Sequence, residues 1–348
     1  MPQPMNETMT DSSASLSSLG WSEFFSDQLL SNETNLLPMR IDTVHHARLT
    51  AIFQSGTAKL TYPADVTTAG FAVGDWVLVD PSTHLVQRLL KRKTLLERRK
   101  AGNRPQQLVA ANIDTLFIVT SCNADFNGAR LERYLALANQ AGTNPVIVLT
   151  KADTVSNAWE FEQQAAALQR GLTVVTLNAR SPEAKTALFP WCGVGQTVTL
   201  VGSSGVGKST LVNTLAGPVL ELPQQTGAIR EHDAKGRHTT TSRSLHAIAA
   251  GGWVIDTPGI RTLDVSHVGY GIDTVFAEIT ELAPHCRFRD CSHDHEPGCA
   301  VQAAMATGKI DPERLTRWRK LQNENCDNSA NQVRPRGTSS VPRRKNRE

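Results

Sequence analysis

Leu200-Val201-Gly202-Ser203-Ser204-Gly205-Val206-Gly207-Lys208-Ser209-Thr210 decides how this chain is read. It fits the pattern G-x-x-x-x-G-K-[ST], with Gly202, Gly207, Lys208 and Ser209 at the defining positions. Glycines let the backbone turn tightly, so that several N–H groups point inward at a polyphosphate. Lys208 supplies charge for the β and γ phosphates and Ser209 offers a hydroxyl to Mg²⁺. The flanks agree: residues 196–201 read as a buried strand and residues 208–216 as a helix whose positive dipole end faces the ligand.

Upstream the same texture continues. Residues 113–119, 145–149 and 173–177 read as strands, with helices predicted over 128–141 and 159–168. Strands alternating with helices predict an α/β domain with a mostly parallel sheet.

Two further elements speak to the base. Thr150-Lys151-Ala152-Asp153 follows the strand ending at Leu149 and resembles the N-K-x-D element of GTPases, with Thr150 where Asn is usual. The Asp153 carboxylate would accept from the N1–H and exocyclic amine of guanine, donors that adenine lacks. Asn178-Ala179-Arg180 follows the next strand, as the S-A-x element does, where a backbone amide meets the guanine O6. Downstream, Asp256-Thr257-Pro258-Gly259 fits D-x-x-G: Asp256 would hold Mg²⁺ through water and Gly259 would sense the γ-phosphate. Between them lies Gly236-Arg237-His238-Thr239-Thr240-Thr241, a candidate first switch in which Thr240 or Thr239 closes over Mg²⁺. Ile260 stands where a Ras-type enzyme carries the water-orienting Gln, which leaves His238 as the internal candidate for that task. Lys208 with Mg²⁺ would stabilise the transition state.

The order of these elements is unusual. An ordinary GTPase runs phosphate loop, first switch, D-x-x-G, N-K-x-D, S-A-x; here the last two come first. A circular permutation builds the same sheet from that order, because domain termini lie close together. The chain then leaves the domain directly after D-x-x-G, which ties the second switch to whatever follows residue 265.

The chain has 348 residues, room for two or three cores, and a net charge of +3 that decides little. Residues 91–104 hold seven basic residues against one acid, and residues 334–347 hold six against none, which points to an acidic partner such as nucleic acid. No signal sequence and no apolar run long enough for a membrane helix is evident, so a cytoplasmic protein without membrane contact is expected. Residues 1–38 are polar, with one apolar patch around Leu19, Trp21, Phe24, Phe25, Leu29 and Leu30 that fits a short docking helix. Residues 40–90 alternate in short stretches punctuated by Gly and Pro, which predicts a small β-barrel, OB-type or SH3-like.

Near the C-terminus, Cys286, Cys291, His293 and Cys299 present three thiolates and an imidazole within fourteen residues, with His285 and His295 as alternative donors. That is a closed Cys₃His set, hence structural zinc. The helix predicted over 311–322 carries Arg314, Arg317, Arg319 and Lys320, a basic face suited to RNA phosphates.

Taken together, the permuted order, the Gly-x-His-Thr-Thr-Thr segment, the preceding barrel and the cysteine cluster resemble the RsgA (YjeQ) family of circularly permuted GTPases. The resemblance covers about residues 40–325 and favours His293 as the fourth zinc ligand and His238 as the water-orienting group. It implies an OB-type barrel with a basic connector over 39–104 after an N-terminal extension of residues 1–38, a permuted GTPase domain over 105–265, a helical zinc domain over 266–325 and a basic tail over 326–348. It also implies binding of GTP or GDP with Mg²⁺, and a GTP hydrolase stimulated by the small ribosomal subunit, gripping its rRNA in late maturation, as a monomer. The competing reading is an RNA-binding assembly factor that senses GTP occupancy, with hydrolysis incidental.

Overall fold

The computed structural model describes residues 16–45, 48–98, 107–217, 243–256 and 268–333. Helix α1 (Glu23–Ser26) precedes five strands: β1 (Leu37–His45), β2 (Arg48–Phe53), β3 (Gly56–Leu60), β4 (Trp76–Val79) and β5 (Val86–Leu89). Antiparallel pairing runs β3-β2-β1-β4-β5. Just past β3, a parallel bridge joins Thr61 to Leu85, so the last strand meets the third and the sheet curls upon itself. Side chains of period two, among them Met39, Ile41, Leu49, Ala51 and Val77, fill its interior.

Residues 95–98 and 107–111 are more than a basic connector. They pair as antiparallel strands, β6 (Leu95–Arg98) with β7 (Gln107–Ala111). The reason is apolar: Leu96, Val109, Ala110 and Ala111 are buried, a signal masked by the charges between them. Part of the basic character is also spent internally. Arg92 donates twice to the fully buried Asp75 at 2.7 Å, and Arg88 pairs with Glu33 at 2.5 Å.

The central unit follows: β8 (Thr115–Ser121), α2 (Gly128–Ala141), β9 (Asn144–Thr150), α3 (Ala158–Ala166), β10 (Thr173–Thr176), α4 (Glu183–Leu188), β11 (Thr197–Val201), α5 (Lys208–Ala216), β12 (Ser244–Ala247) and β13 (Trp253–Asp256). Sheet order is β10-β9-β8-β11-β13-β12, parallel except for β12. Every residue of β8 and β11 is buried, as central strands covered on both faces require. Leu116 and Ile118 face the layer containing α2, while Phe117 and Val119 face the layer containing α4 and α5. Helix α2 starts where the Asn127 side chain accepts from Arg130 N and stops at Gly142, whose φ of 76° suits a left-handed cap. The mixed sheet continues into the amino-terminal strands through the antiparallel pair Thr43 and Ser244.

Leu19, Trp21 and Phe25 of the N-terminal apolar patch dock on the chain's own strands, while Phe24, Leu29 and Leu30 stay exposed. Phe25 is buried, Trp21 meets Trp76 edge-on at 4.9 Å, and Trp253 Nε1 donates to Ser18 O at 2.8 Å. Beneath it Arg40, 1% exposed, donates to Leu19 O and to Thr197 Oγ1 at 2.7 Å each. Burial lowers its pKa to about 10, so it stays charged at neutral pH.

Four helices close the described chain: α6 (Gly269–Val275), α7 (Ala277–Thr280), α8 (Ala300–Ala306) and α9 (Pro312–Val333). Helix α6 lies so close to α2 that a Cβ on Gly271 would sit 1.9 Å from Ala136 O, so only glycine fits. No helix among the described residues is long and apolar enough to cross a membrane.

Candidate nucleotide site and metal centre

The parallel register brings the predicted phosphate and base elements to one edge of the sheet. Strand β11 pairs with β8 on one side and β13 on the other, so Gly202 and Asp256 leave the sheet side by side. The order of connections reverses between β8 and β11, which is where open α/β sheets bind ligands, beyond the carboxyl ends of the strands.

The phosphate loop turns as its glycines allow. Gly202, Gly205 and Gly207 have φ of 143°, 80° and 97°. A Cβ on Gly202 would lie 2.1 Å from Val119 O, so this position admits no side chain. Gly207 caps α5, and the Lys208 ammonium donates to Gly202 O at 2.8 Å and to Ser203 O at 2.5 Å. Val206 is buried, Ser204 is exposed, and Ser209 and Thr210 begin the helix half-buried.

The base elements abut this loop. Lys151 takes the left-handed conformation at φ 57°, which turns the chain off β9 and leaves Asp153 exposed. Ala152 N reaches Leu177 O at 3.5 Å, linking the two base elements. Asn178 Oδ1 accepts from Arg180 N at 2.9 Å, a local turn around the buried Ala179. Thr150 points inward: its hydroxyl lies 2.6 Å from Val206 O and 3.1 Å from Thr120 O, so it ties β9 to the phosphate loop. From the other side Thr214 on α5 donates to Ala179 O at 2.8 Å and ties the turn after β10 to the helix that follows the loop. Sequence reasoning missed Thr214, because a threonine inside a helix carries no signal of a distant partner. His246, on β12 beside Asp256, is held below the usual imidazole range by burial, against the pull of Asp256 and Asp42. His238, Thr239, Thr240, Gly259 and Ile260 lie outside the described residues.

The donor set fits the ligands. Ser209 and Asp256 offer the hard oxygens Mg²⁺ prefers. In the C-terminal unit the ligand atoms of Cys286, Cys291, His293 and Cys299 lie within 4.8 Å of one another. Cys286 Sγ is 3.8 Å from Cys299 Sγ, and His293 Nδ1 is 3.4 Å and 3.5 Å from those two sulfurs. Zinc bonds of about 2.3 Å to sulfur and about 2.0 Å to nitrogen make tetrahedral edges of about 3.8 Å and about 3.5 Å, so zinc fits. Neighbours orient the ligands: Gln302 N donates to Cys299 Sγ at 3.4 Å, and Gln302 and Arg319 side chains both donate to His293 O. His285 is exposed and His295 lies outside the cluster.

The basic face expected on the last helix is corrected. Arg314 is buried and donates to Glu132, Glu278, Leu168 O and Val275 O at 2.7–2.8 Å. Arg317 also grips Glu132, at 2.9 Å, and Arg319 turns to Asp294 and the zinc loop. A buried Glu132 on α2 draws Arg314 and Arg317 inward; only Lys320 of the four stays exposed.

Comparison with known proteins follows the same outline. The family model of the RsgA GTPase matches residues 89–266. The chain is 68% identical, over 97% of both chains, to the small ribosomal subunit biogenesis GTPase RsgA of Mesorhizobium japonicum. The chain belongs to the RsgA GTPase family. It is also 44% identical to the small ribosomal subunit biogenesis GTPase RsgA 2 of Vibrio parahaemolyticus, across 96% of this chain and 92% of that one. Among solved structures, YjeQ from Thermotoga maritima superposes with a TM-score of 0.60 at 23% identity, over 83% of this chain and 98% of that one. YloQ, described as a circularly permuted GTPase, gives 0.59 at 21%, over 86% and 98%. The fold of the central unit is that of a circularly permuted GTPase.

Proposed function

We infer that this chain hydrolyses GTP to GDP and phosphate in the biogenesis of the small ribosomal subunit. The observation that carries the reading is the meeting of phosphate loop, Thr150–Asp153 turn, Asn178–Ala179 turn and Asp256 at one sheet edge, in a member of the RsgA family.

In this reading residues 202–210 cradle the phosphates, with Lys208 over the β and γ groups. Asp153 reads the guanine N1–H and amine, Ala179 presents its amide to O6, and Lys151 with Ala152 line the base. Ser209 and Asp256 hold Mg²⁺, which supplies charge against the leaving oxygens when bound. Thr240 and Gly259 complete the γ-phosphate shell, and His238 orients water where Ile260 cannot. Because the water-orienting Gln is missing, intrinsic turnover is slow and the subunit supplies the stimulus.

We also read the five amino-terminal strands as an OB-type barrel, for which the β3-to-β5 return at Thr61 and Leu85 is the support. The extension, barrel with basic connector, GTPase domain, zinc domain and tail divide near residues 38, 104, 265 and 325. The barrel and zinc domain hold rRNA late in maturation, and the chain acts as a cytoplasmic monomer. With Arg314, Arg317 and Arg319 turned inward, the exposed Arg287 and Arg289 beside Phe288, with Lys309 and Lys320, are cations of the described C-terminal unit that remain for phosphate. The zinc is structural, since all four ligand positions come from protein.

Turnover of GTP by the purified chain, alone and with purified small subunits, tests this. Slow turnover alone with strong stimulation, for GTP and not ATP, is expected. Binding without stimulation would replace the reading with a nucleotide-sensing assembly factor, and equal use of ATP would overturn the role given to Asp153.

A further inference from the structure

A helical threonine has a ready partner in the carbonyl one turn back. Thr274, Thr280 and Thr316 each return the hydroxyl to the carbonyl one turn back, at 2.9, 3.1 and 3.0 Å. Thr214, in the helix that follows the phosphate loop, instead donates 2.8 Å across to Ala179 O, 35 residues away in sequence. Ala179 is 6% exposed, so the carbonyl it satisfies has little access to water. The turn that holds Ala179 is already stiff, with Asn178 accepting from Arg180 N and from Ser181 N. It therefore moves as a unit, and Thr214 is what fastens that unit to α5. Ala179 also sits against the phosphate loop, 3.8 Å from where a Cβ on Gly207 would stand.

We propose that Thr214 is a positioning residue for base specificity: it sets the distance between the phosphate loop and the Ala179 amide that meets the base oxygen O6. The proposal rests on the guanine reading given above. The triphosphate is anchored by the loop that leads into α5, and the base is judged from the β10 turn. One hydroxyl bond makes the ruler between them. Thr150 fastens the other base element to the same loop through Val206 O, so each element has a separate hydroxyl tie to the phosphate side, besides the Ala152 N to Leu177 O link between them.

That separation makes the test selective. Affinities for GDP, IDP, ADP and inorganic tripolyphosphate are measured by calorimetry on the full zinc-loaded chain and on Thr214→Val and Thr214→Ser. Hypoxanthine keeps O6 and loses the exocyclic amine, so GDP and IDP share the Ala179 contact and differ at Asp153. Thr214→Val should weaken GDP and IDP alike, by about tenfold, the worth of one well-formed buried hydrogen bond. Their ratio should hold, and tripolyphosphate and ADP should bind as before. Thr214→Ser should restore the wild-type pattern. If Thr214→Val weakens all four ligands together, or none, the positioning role is overturned. Should Thr214→Val fail to fold, Thr214→Ser with GDP weakened selectively relative to tripolyphosphate would equally overturn it, since the hydroxyl is kept. A wild-type chain that does not prefer GDP to ADP would instead sink the guanine reading itself.

Discussion

Replacing Arg314 by methionine should loosen the C-terminal helices from the GTPase sheet. The guanidinium, 9% exposed, makes four bonds: to Glu132 and Glu278 at 2.7 and 2.8 Å, and to Leu168 O and Val275 O at 2.7 Å each. Methionine keeps much of the volume and removes every donor. Two carbonyls and a carboxylate 1% exposed then lose a partner. Glu132 retains Arg317 at 2.9 Å, so its charge is not stranded. The cost therefore falls near the lower end of the range for breaking a buried pair, about 3 kcal/mol. Arg317→Met acts on the same carboxylate from a side chain 26% exposed and leaves Arg314 in place, so it should cost about 1 kcal/mol. The chain has several cores, so a global melting curve is the wrong instrument. Native-state hydrogen exchange of the α6 and α9 amides in the zinc-loaded chain reads the opening of this unit directly. Protection should drop by roughly a hundredfold for Arg314→Met and roughly fivefold for Arg317→Met, at about 1.4 kcal/mol per factor of ten. An Arg314→Met effect under about 1 kcal/mol, or the reverse ranking, would refute the account of the network as the fastening.

Three further outcomes are expected. Asp153→Asn should weaken GDP by roughly 10- to 100-fold, and it should favour xanthine nucleotides, whose C2 carbonyl accepts from the new amide; competition binding checks both. Chelation of zinc, or Cys299→Ala, should expose the α8 and α9 amides to exchange while leaving the exchange of β8 and β11 unchanged, because the ligands lie in the C-terminal unit alone. In the native zinc-loaded chain a maleimide at pH 8 should modify the exposed Cys326 and spare Cys192, whose thiol burial pushes up to about 12. At that pH only on the order of one Cys192 side chain in ten thousand is thiolate. Mass spectrometry of the labelled peptides decides this, and equal labelling of the two would contradict the buried placement.

Much of the site was legible because it rests on local rules. A loop that must wrap phosphate needs glycine where no side chain fits, and Gly202 against Val119 O is such a place. Helix α2 could be bounded from its own residues, since Asn127 caps its start and Gly142 ends it. The four residues of the candidate metal site are close in sequence, so their spacing already brought them together. The strand pair β6–β7 was not legible, because four buried apolar residues were outnumbered by the charges around them. Arg314 and Arg317 read as a solvent-facing stripe because helical periodicity says which residues share a face and not what that face meets. Their partner Glu132 lies 182 residues upstream of Arg314.

By itself, then, the sequence determined the class of ligand, the permuted order of the site, the central α/β pattern and the metal set. Each depends on residue type at short range: a backbone angle, a carboxylate after a strand, a thiolate spacing. Tertiary structure alone decided which charges are spent inside and which remain for a partner, where Trp21 and Phe25 dock, and that Thr150 and Thr214 tie the turns after β9 and β10 to the phosphate loop and its helix. Those outcomes depend on desolvation, and whether a charge or hydroxyl is desolvated is set by elements far away in the chain, which no local pattern encodes.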